Sequence, residues 1–128
     1  MPVSYGRVNV ITDQRGIVLE LLNAQDFASQ RNAHLVVSLP GVVRGNHYHT
    51  KGMETMTVLG PSLVRFREHG VIGEVVVPEK EAWRFVFLPG VAHAIKNLGG
   101  EANTLVAFNT VEHDPANPDT HKDLLIEF

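Results

Sequence analysis

The sequence has no cysteine, which removes disulfides and thiolate metal sites together. It has no apolar run long enough to span a membrane. Its first residues, Met-Pro-Val-Ser-Tyr-Gly-Arg, lack the charged and apolar regions of a secretory signal. Neither sign of charge dominates: 11 Lys and Arg stand against 14 Asp and Glu, a net charge of -3, so neither nucleic acid nor an anionic membrane is expected as a partner. No internal repeat or low-complexity tract is visible. What is there is an ordinary globular balance, 44% hydrophobic and 20% charged over 128 residues, enough for one domain and too little for two. The expectation is a single soluble domain, 1–128, in the cytoplasm.

Helical periodicity is as scarce as cysteine. Only Asn23–Asn32 could hold a helical turn, and its pattern is short. Residues 1–16 read as irregular, with a turn at Asp13–Gly16. The remainder reads as short strands separated by breakers: 17–22, 34–39, 43–50, 53–59, 63–68, 71–77, 83–88, 92–98 and 104–110. Pro40-Gly41, Gly60-Pro61, His69-Gly70, Pro78–Glu81, Pro89-Gly90 and Gly99-Gly100 punctuate them. Short strands at even spacing predict an all-β sandwich or barrel, with its core in about 16–110. Trp83, Phe85 and Phe87 share one face of a strand and read as core. The polar, turn-rich tail 111–128 is expected to lie across the outside, with 124–128 adding an edge strand or docking apolar side chains.

Two stretches carry chemistry. In Gly41–Gly60, His47 and His49 stand two apart, so a strand presents both imidazoles on one face. Gly52 lets the chain bend, and Glu54 opens the next strand with Met56 and Val58 in phase. Far downstream, Pro89-Gly90 precedes His93, with Ile95 and Asn97 in phase. A lone His-x-His is a weak signal. The glutamate at this offset and the distant Gly-x-x-His-x-x-x-Asn make a metal site the stronger reading. Three imidazoles and a carboxylate suit zinc, iron, manganese, nickel or cobalt, and are poor ligands for calcium or magnesium. His34, His69, His113 and His121 show no such grouping and read as surface or hydrogen-bonded residues.

These stretches resemble the two motifs of the cupin superfamily. Gly41, His47, His49, Glu54 and Gly60 follow the first, with one residue fewer before the last glycine; Gly90, His93 and Asn97 follow the second, with Pro89 adjacent to the glycine. The resemblance implies a double-stranded β-helix (a jelly-roll barrel), a homodimer, and one divalent metal inside. More narrowly, Arg44-Gly45-Asn46-His47-Tyr48-His49, Glu54, Val64–Arg67 and Asp114–Thr120 resemble the C-terminal cupin domain of bifunctional capsular-polysaccharide enzymes. There a dehydrogenase domain precedes a zinc-binding cupin that epimerises a UDP-keto-sugar. These 128 residues hold no dehydrogenase domain, so a reductive step would come from elsewhere. Arg44-Gly45-x-His47-Tyr48 and Asp13-x-Arg15-Gly16 also resemble the dTDP-sugar epimerases. In those the position of His47 is a catalytic base and no metal is used; His49, in place of their usual glutamine, favours metal.

The resemblance therefore implies zinc, with iron, manganese or nickel as alternatives, and a nucleotide-sugar epimerase or ketoisomerase of surface-polysaccharide biosynthesis. Such an enzyme removes a proton beside a carbonyl and returns it on another face or carbon, with the metal as Lewis acid. The base is open: Glu54 could serve if it leaves the metal, and Tyr48, on the opposite face of its strand, is the other catalytic candidate. Arg44, Arg65 and Arg67 are candidates for a nucleotide diphosphate, though Arg65 and Arg67 could equally form a solvated outer face, and Asn97 is a further substrate-binding candidate. Two other readings remain: a cupin metalloenzyme of another class (a dioxygenase or small-acid isomerase), and a non-catalytic sugar- or metal-binding module.

Overall fold

In the computed structural model, which describes residues 3–127, the elements run in order β1 (Ser4–Val8), β2 (Ile11–Asp13), β3 (Gly16–Val18), a 3-10 helix (Ala24–Ser29), β4 (Asn32–Ser38), β5 (Val43–Tyr48), β6 (Glu54–Leu59), β7 (Ser62–Glu68), β8 (Val71–Val77), β9 (Ala82–Phe87), β10 (Ala92–Asn97), β11 (Asn103–Asn109) and β12 (His121–Lys122). Two five-stranded antiparallel sheets form, β1-β9-β6-β11-β4 and β12-β5-β10-β7-β8, beside a small β2-β3 hairpin. Chain neighbours such as β4 and β5, or β5 and β6, lie in different sheets. This is the jelly-roll arrangement expected of the sequence. Among the described residues, no helix is long and apolar enough to cross a membrane.

Alternation builds the core. Met56 and Val58 of β6, Phe85 and Phe87 of β9, Leu105 and Ala107 of β11, Val64 and Phe66 of β7 and Ile95 of β10 form one buried cluster between the sheets, with Trp83 packed at its margin. Phe85 and Phe87 stack with centroids 5.9 Å apart; burying each contributes about 2–3 kcal/mol. Gly60 shows why one motif position tolerates only glycine: a Cβ there would sit 1.8 Å from the backbone oxygen of Pro78.

Two expectations need correction. Residues 1–16 are not irregular throughout, since Ser4–Val8 pairs with β9 in register Ser4↔Val86 to Val8↔Ala82. The strand was hidden because it is an edge, with mostly exposed residues and no clean alternation. The strand expected at 17–22 is short, Gly16–Val18, and pairs only in the hairpin. Its continuation lies over the outer face of the first sheet instead, where Thr57 Oγ1 and Arg84 Nε both donate to the carbonyl of Leu21. At the C-terminus the edge strand is His121–Lys122, while Leu125 and Ile126 dock on Ala92 and Ala94. Phe128, part of the expected 124–128 segment, lies outside the described residues, as do Met1 and Pro2.

Candidate metal centre and its cavity

His47 and His93 are direct partners across the β5-β10 ladder, and Glu54 begins β6 in the facing sheet. The ligand atoms of His47, His49 and His93 lie within 4.8 Å of one another. The Glu54 carboxylate closes the group, Oε2 lying 2.7 Å from His49 Nε2 and Oε1 3.6 Å from His93 Nε2. The four residues expected from spacing therefore meet in space.

The hydrogen bonds aim these rings. His93 Nδ1–H donates to the carbonyl of Val91 at 3.1 Å, and the ring stacks on Phe87 at 4.3 Å with planes 7° apart. Its Nε2 is buried without a hydrogen-bond partner among the described residues. A buried, unpartnered acceptor costs about 1–3 kcal/mol, and an ion would satisfy it. His49 Nδ1–H donates to the carbonyl of Asp119 at 2.5 Å, which turns Nε2 toward the same point. Histidines that bind metal through one nitrogen and donate from the other to a carbonyl are arranged in this way. The donor set fits a divalent transition ion.

The electrostatics agree. Burial, followed by the positive potential of His93 and His49, lowers the pKa of His47 to about 4, so this imidazole is neutral and available as a ligand at neutral pH. Burial works against a charged His49, but the hydrogen bond to Glu54 and that carboxylate's charge outweigh it and raise its pKa. Burial also opposes ionisation of Glu54, yet the hydrogen bond from His49 and the positive potential of the neighbouring imidazoles hold its carboxyl well below the usual carboxylate range. With Nδ1 bonded to a carbonyl, a proton on His49 Nε2 occupies the place a metal cation would take.

This cluster lines an open cavity of about 680 Å³, whose walls also include Asn32, His34, Val36, Arg44, Met56, Ile95, Leu105 and Asn109. Segment 111–120 forms one rim through Val111, Glu112, His113, Asp114, Asn117, Asp119 and Thr120. Arg44 reaches the cavity through a bulge. Gly45 (φ 89°) and Asn46 (φ 58°) both sit where one residue, Ala94, would be matched, so Arg44 and His47 face inward although three apart. A Cβ on Gly45 would lie 2.7 Å from the His93 carbonyl oxygen. Arg44 Nε donates to Ser38 Oγ and Nη2 to the carbonyl of Val37.

Residues 11–121 match the profile described as the polysaccharide biosynthesis C-terminal domain. The chain belongs to this family. It is 31% identical over 115 residues, 86% of its length, to the UDP-2-acetamido-2,6-beta-L-arabino-hexul-4-ose reductase of Pseudomonas aeruginosa, and spans 30% of that relative. It is similar to the crystal structure of the capsular polysaccharide assembling protein CapF of Staphylococcus aureus, with 26% identity, TM-score 0.68, and coverage of 92% of this chain and 33% of that one. The dTDP sugar isomerase of Desulfovibrio desulfuricans is similar in fold, with TM-score 0.80 at 14% identity, covering 95% of this chain and 83% of that one. The fold is that of the cupin jelly rolls.

In this polysaccharide biosynthesis C-terminal domain the other expected site residues lie elsewhere. Tyr48 faces away from the cavity, stacked on His121 at 5.2 Å and packed against the Leu125–Ile126 cluster. Arg65 bonds Glu74 and the carbonyl of Leu125, and Arg67 pairs with Asp123. Both arginines thus clasp the C-terminal strap on the outer face. Asn97 closes a turn, donating to the carbonyls of Ser38 and Glu101 and accepting from Gly99 N–H. His34 and His113, read from sequence as ungrouped, do line the cavity. Alternation puts Asn32, His34 and Val36 on one face of β4, but it does not tell what that face meets.

Proposed function

We propose that this domain is a zinc-dependent nucleotide-sugar epimerase or ketoisomerase of surface-polysaccharide biosynthesis. The observation that carries the reading is a histidine–carboxylate cluster on the wall of a roughly 680 Å³ cavity in a chain of a polysaccharide biosynthesis family. His47, His49 and His93 would hold the ion, with Glu54 as fourth ligand or proton acceptor. A divalent ion there supplies a Lewis acid for the charge that develops on a carbonyl oxygen. Arg44, tethered through Nε and one Nη, offers its remaining N–H groups to a diphosphate. The likeness to a UDP-2-acetamido-2,6-beta-L-arabino-hexul-4-ose reductase supports a UDP-linked keto-sugar as substrate, and the likeness to a capsular polysaccharide assembling protein supports the surface-polysaccharide setting. The same reading makes the protein a cytoplasmic homodimer, for which the exposed Leu35 and Val37 of edge strand β4 and the adjacent Leu39 offer an apolar surface.

The direct test is incubation in deuterated water with UDP-2-acetamido-2,6-dideoxy-4-ketohexose and with dTDP-4-keto-6-deoxyglucose, followed by NMR. Deuterium is expected at a carbon beside the carbonyl. Absence of label from both sugars, with their binding intact, would point to a binding module instead.

Metal affinity should depend on pH with a definite sign. The ion must displace the proton of His49, whose pKa is raised, whereas His47, lowered to about 4, is already free. Apparent zinc affinity therefore rises about tenfold per pH unit while His49 is protonated, and flattens above its pKa. Calorimetry at pH 6 in buffers of different ionisation heat should show about one proton released per zinc. An affinity independent of pH between about 5.5 and 7.5 would contradict the arrangement.

A further inference from the structure

The mechanism just proposed leaves its base open, because His47, His49 and His93 would hold the metal and Glu54 serves as proton acceptor only if it is not the fourth ligand. The geometry points to His34 as the catalytic residue that removes the proton beside the carbonyl. This rests on the epimerase reading and deepens it.

The placement follows from strand register. His34 is matched to Ala107 in β4-β11, and Ala107 to Met56 in β11-β6. His34 therefore shares the inner face with Met56 and, two residues along, with Glu54. Neighbouring strands lie about 4.8 Å apart, so β4 stands about 10 Å from β6, and only the methyl group of Ala107 lies between. A substrate with its carbonyl oxygen toward the histidine cluster would present an adjacent carbon to β4.

His34 also has the right freedom and the right hold. Among the described residues the side-chain hydrogen-bond neighbour of His34 is Asn32, whose Nδ2 lies 3.4 Å from Nδ1. An amide can offer either its oxygen or its NH2 group. As placed, the NH2 group donates to Nδ1; turning the amide over brings its oxygen to Nδ1–H and leaves Nε2 with the lone pair toward the cavity. His34 is exposed at the mouth, so a captured proton can pass to solvent. The competing rim group, His113, lies on an exposed loop, whereas His34 is fixed on a strand, where side chains are held more accurately. Histidine is the commonest side chain for such transfers.

The step balances without an added reagent. Neutral Nε2 takes the proton from the carbon. The C–H electrons form the C=C bond of the enolate and the carbonyl π pair moves to oxygen. On collapse, the opposite face of that carbon takes a proton from cavity water. The hydroxide so formed is neutralised by the proton that the imidazolium releases, leaving one inverted carbon.

The test compares wild type, His34→Gln and His34→Ala in deuterated water with the same two keto-sugars. Wild type is expected to exchange. His34→Gln should exchange at least about a hundredfold more slowly, with unchanged zinc content and an unchanged melting temperature. Added imidazole should restore part of the exchange in His34→Ala, which a structural role would not allow. Exchange by His34→Gln at the wild-type rate overturns the assignment and leaves the epimerase reading standing. Loss of zinc in step with loss of exchange overturns it as well. No exchange by wild type overturns both.

Discussion

His93→Phe is expected to strip the protein of its metal while leaving it folded. Wild type, purified without added metal, should carry about one divalent ion per chain by elemental analysis, and the variant essentially none. The choice of phenylalanine follows from the ring's surroundings. His93 is almost fully buried and stacks on Phe87, so alanine would open a cavity and confuse metal loss with unfolding. Phenylalanine keeps the stack and fills the volume. It forfeits the Nδ1–H bond to Val91 and leaves that carbonyl unpaired, but it also removes the unpartnered Nε2, and these costs are of similar size. Metal-free wild type and metal-free variant should thus melt within a few degrees of each other. Zinc then separates them. A ligand at a hundred times its dissociation constant stabilises the native state by about 2.7 kcal/mol, so wild type should gain melting temperature on adding zinc and the variant should not. Loss of an outer hydrogen-bond partner alone typically costs 10–100-fold in metal affinity; loss of a direct ligand should cost at least about a hundredfold. A wild type without metal, beside a variant that binds added zinc equally well, would refute the metal centre.

The residues that were legible from sequence are those governed by local rules. His47 and His49 share a face because strand residues alternate, and Tyr48 faces away for the same reason, as the structure places it. Arg44 shows where alternation fails. Counting by twos from His47 sets it on the outer face, and only the Gly45–Asn46 bulge returns it to the cavity. The bulge depends on two successive positive φ values and on a close approach to His93, and two positions on a single line of sequence do not reveal that contact. Arg65 and Arg67 were correctly placed on one side of β7, but their partners, Glu74, Asp123 and the carbonyl of Leu125, are 9 to 60 residues away. His34 was overlooked because its neighbours in the cavity belong to β6, β5 and β10, none of them near it in the chain. Its grouping exists only through the order β6-β11-β4. Local chemistry and the meeting of His93 with His47 were readable; the strand order that brings His34 to the same cavity was not.

Long-range pairing also makes Asp119 the most consequential residue outside the cluster. Its carboxylate accepts four hydrogen bonds, at Oδ1 from Thr50 N–H (2.9 Å) and Thr50 Oγ1–H (2.6 Å), and at Oδ2 from Lys51 N–H (2.8 Å) and Gly52 N–H (3.0 Å). The turn so held joins β5, which bears His47 and ends just before His49, to the strand opened by Glu54, and the Asp119 carbonyl orients His49. Asp119→Ala should destabilise the fold by on the order of 3 kcal/mol, less than the full sum for four charge-assisted bonds because the group is partly open to solvent. Calorimetry should show a melting temperature lower by roughly 10 °C. Zinc affinity should fall about tenfold, less than in His93→Phe, because the carbonyl survives the substitution and is only loosened. Asp119→Asn should fall between: its amide oxygen keeps one pair of bonds, while its NH2 group meets the other pair of N–H donors. The pH dependence fixes the mechanism. Burial is overcome by these hydrogen bonds, so the carboxyl is held well below its ordinary value of 3.8. Its stabilisation is complete above that value and is lost as pH falls through the lower folded one. The melting temperatures of wild type and Asp119→Asn should therefore differ by a constant amount near neutrality and converge in strong acid. If the difference persists undiminished there, packing rather than the charged clamp holds the turn.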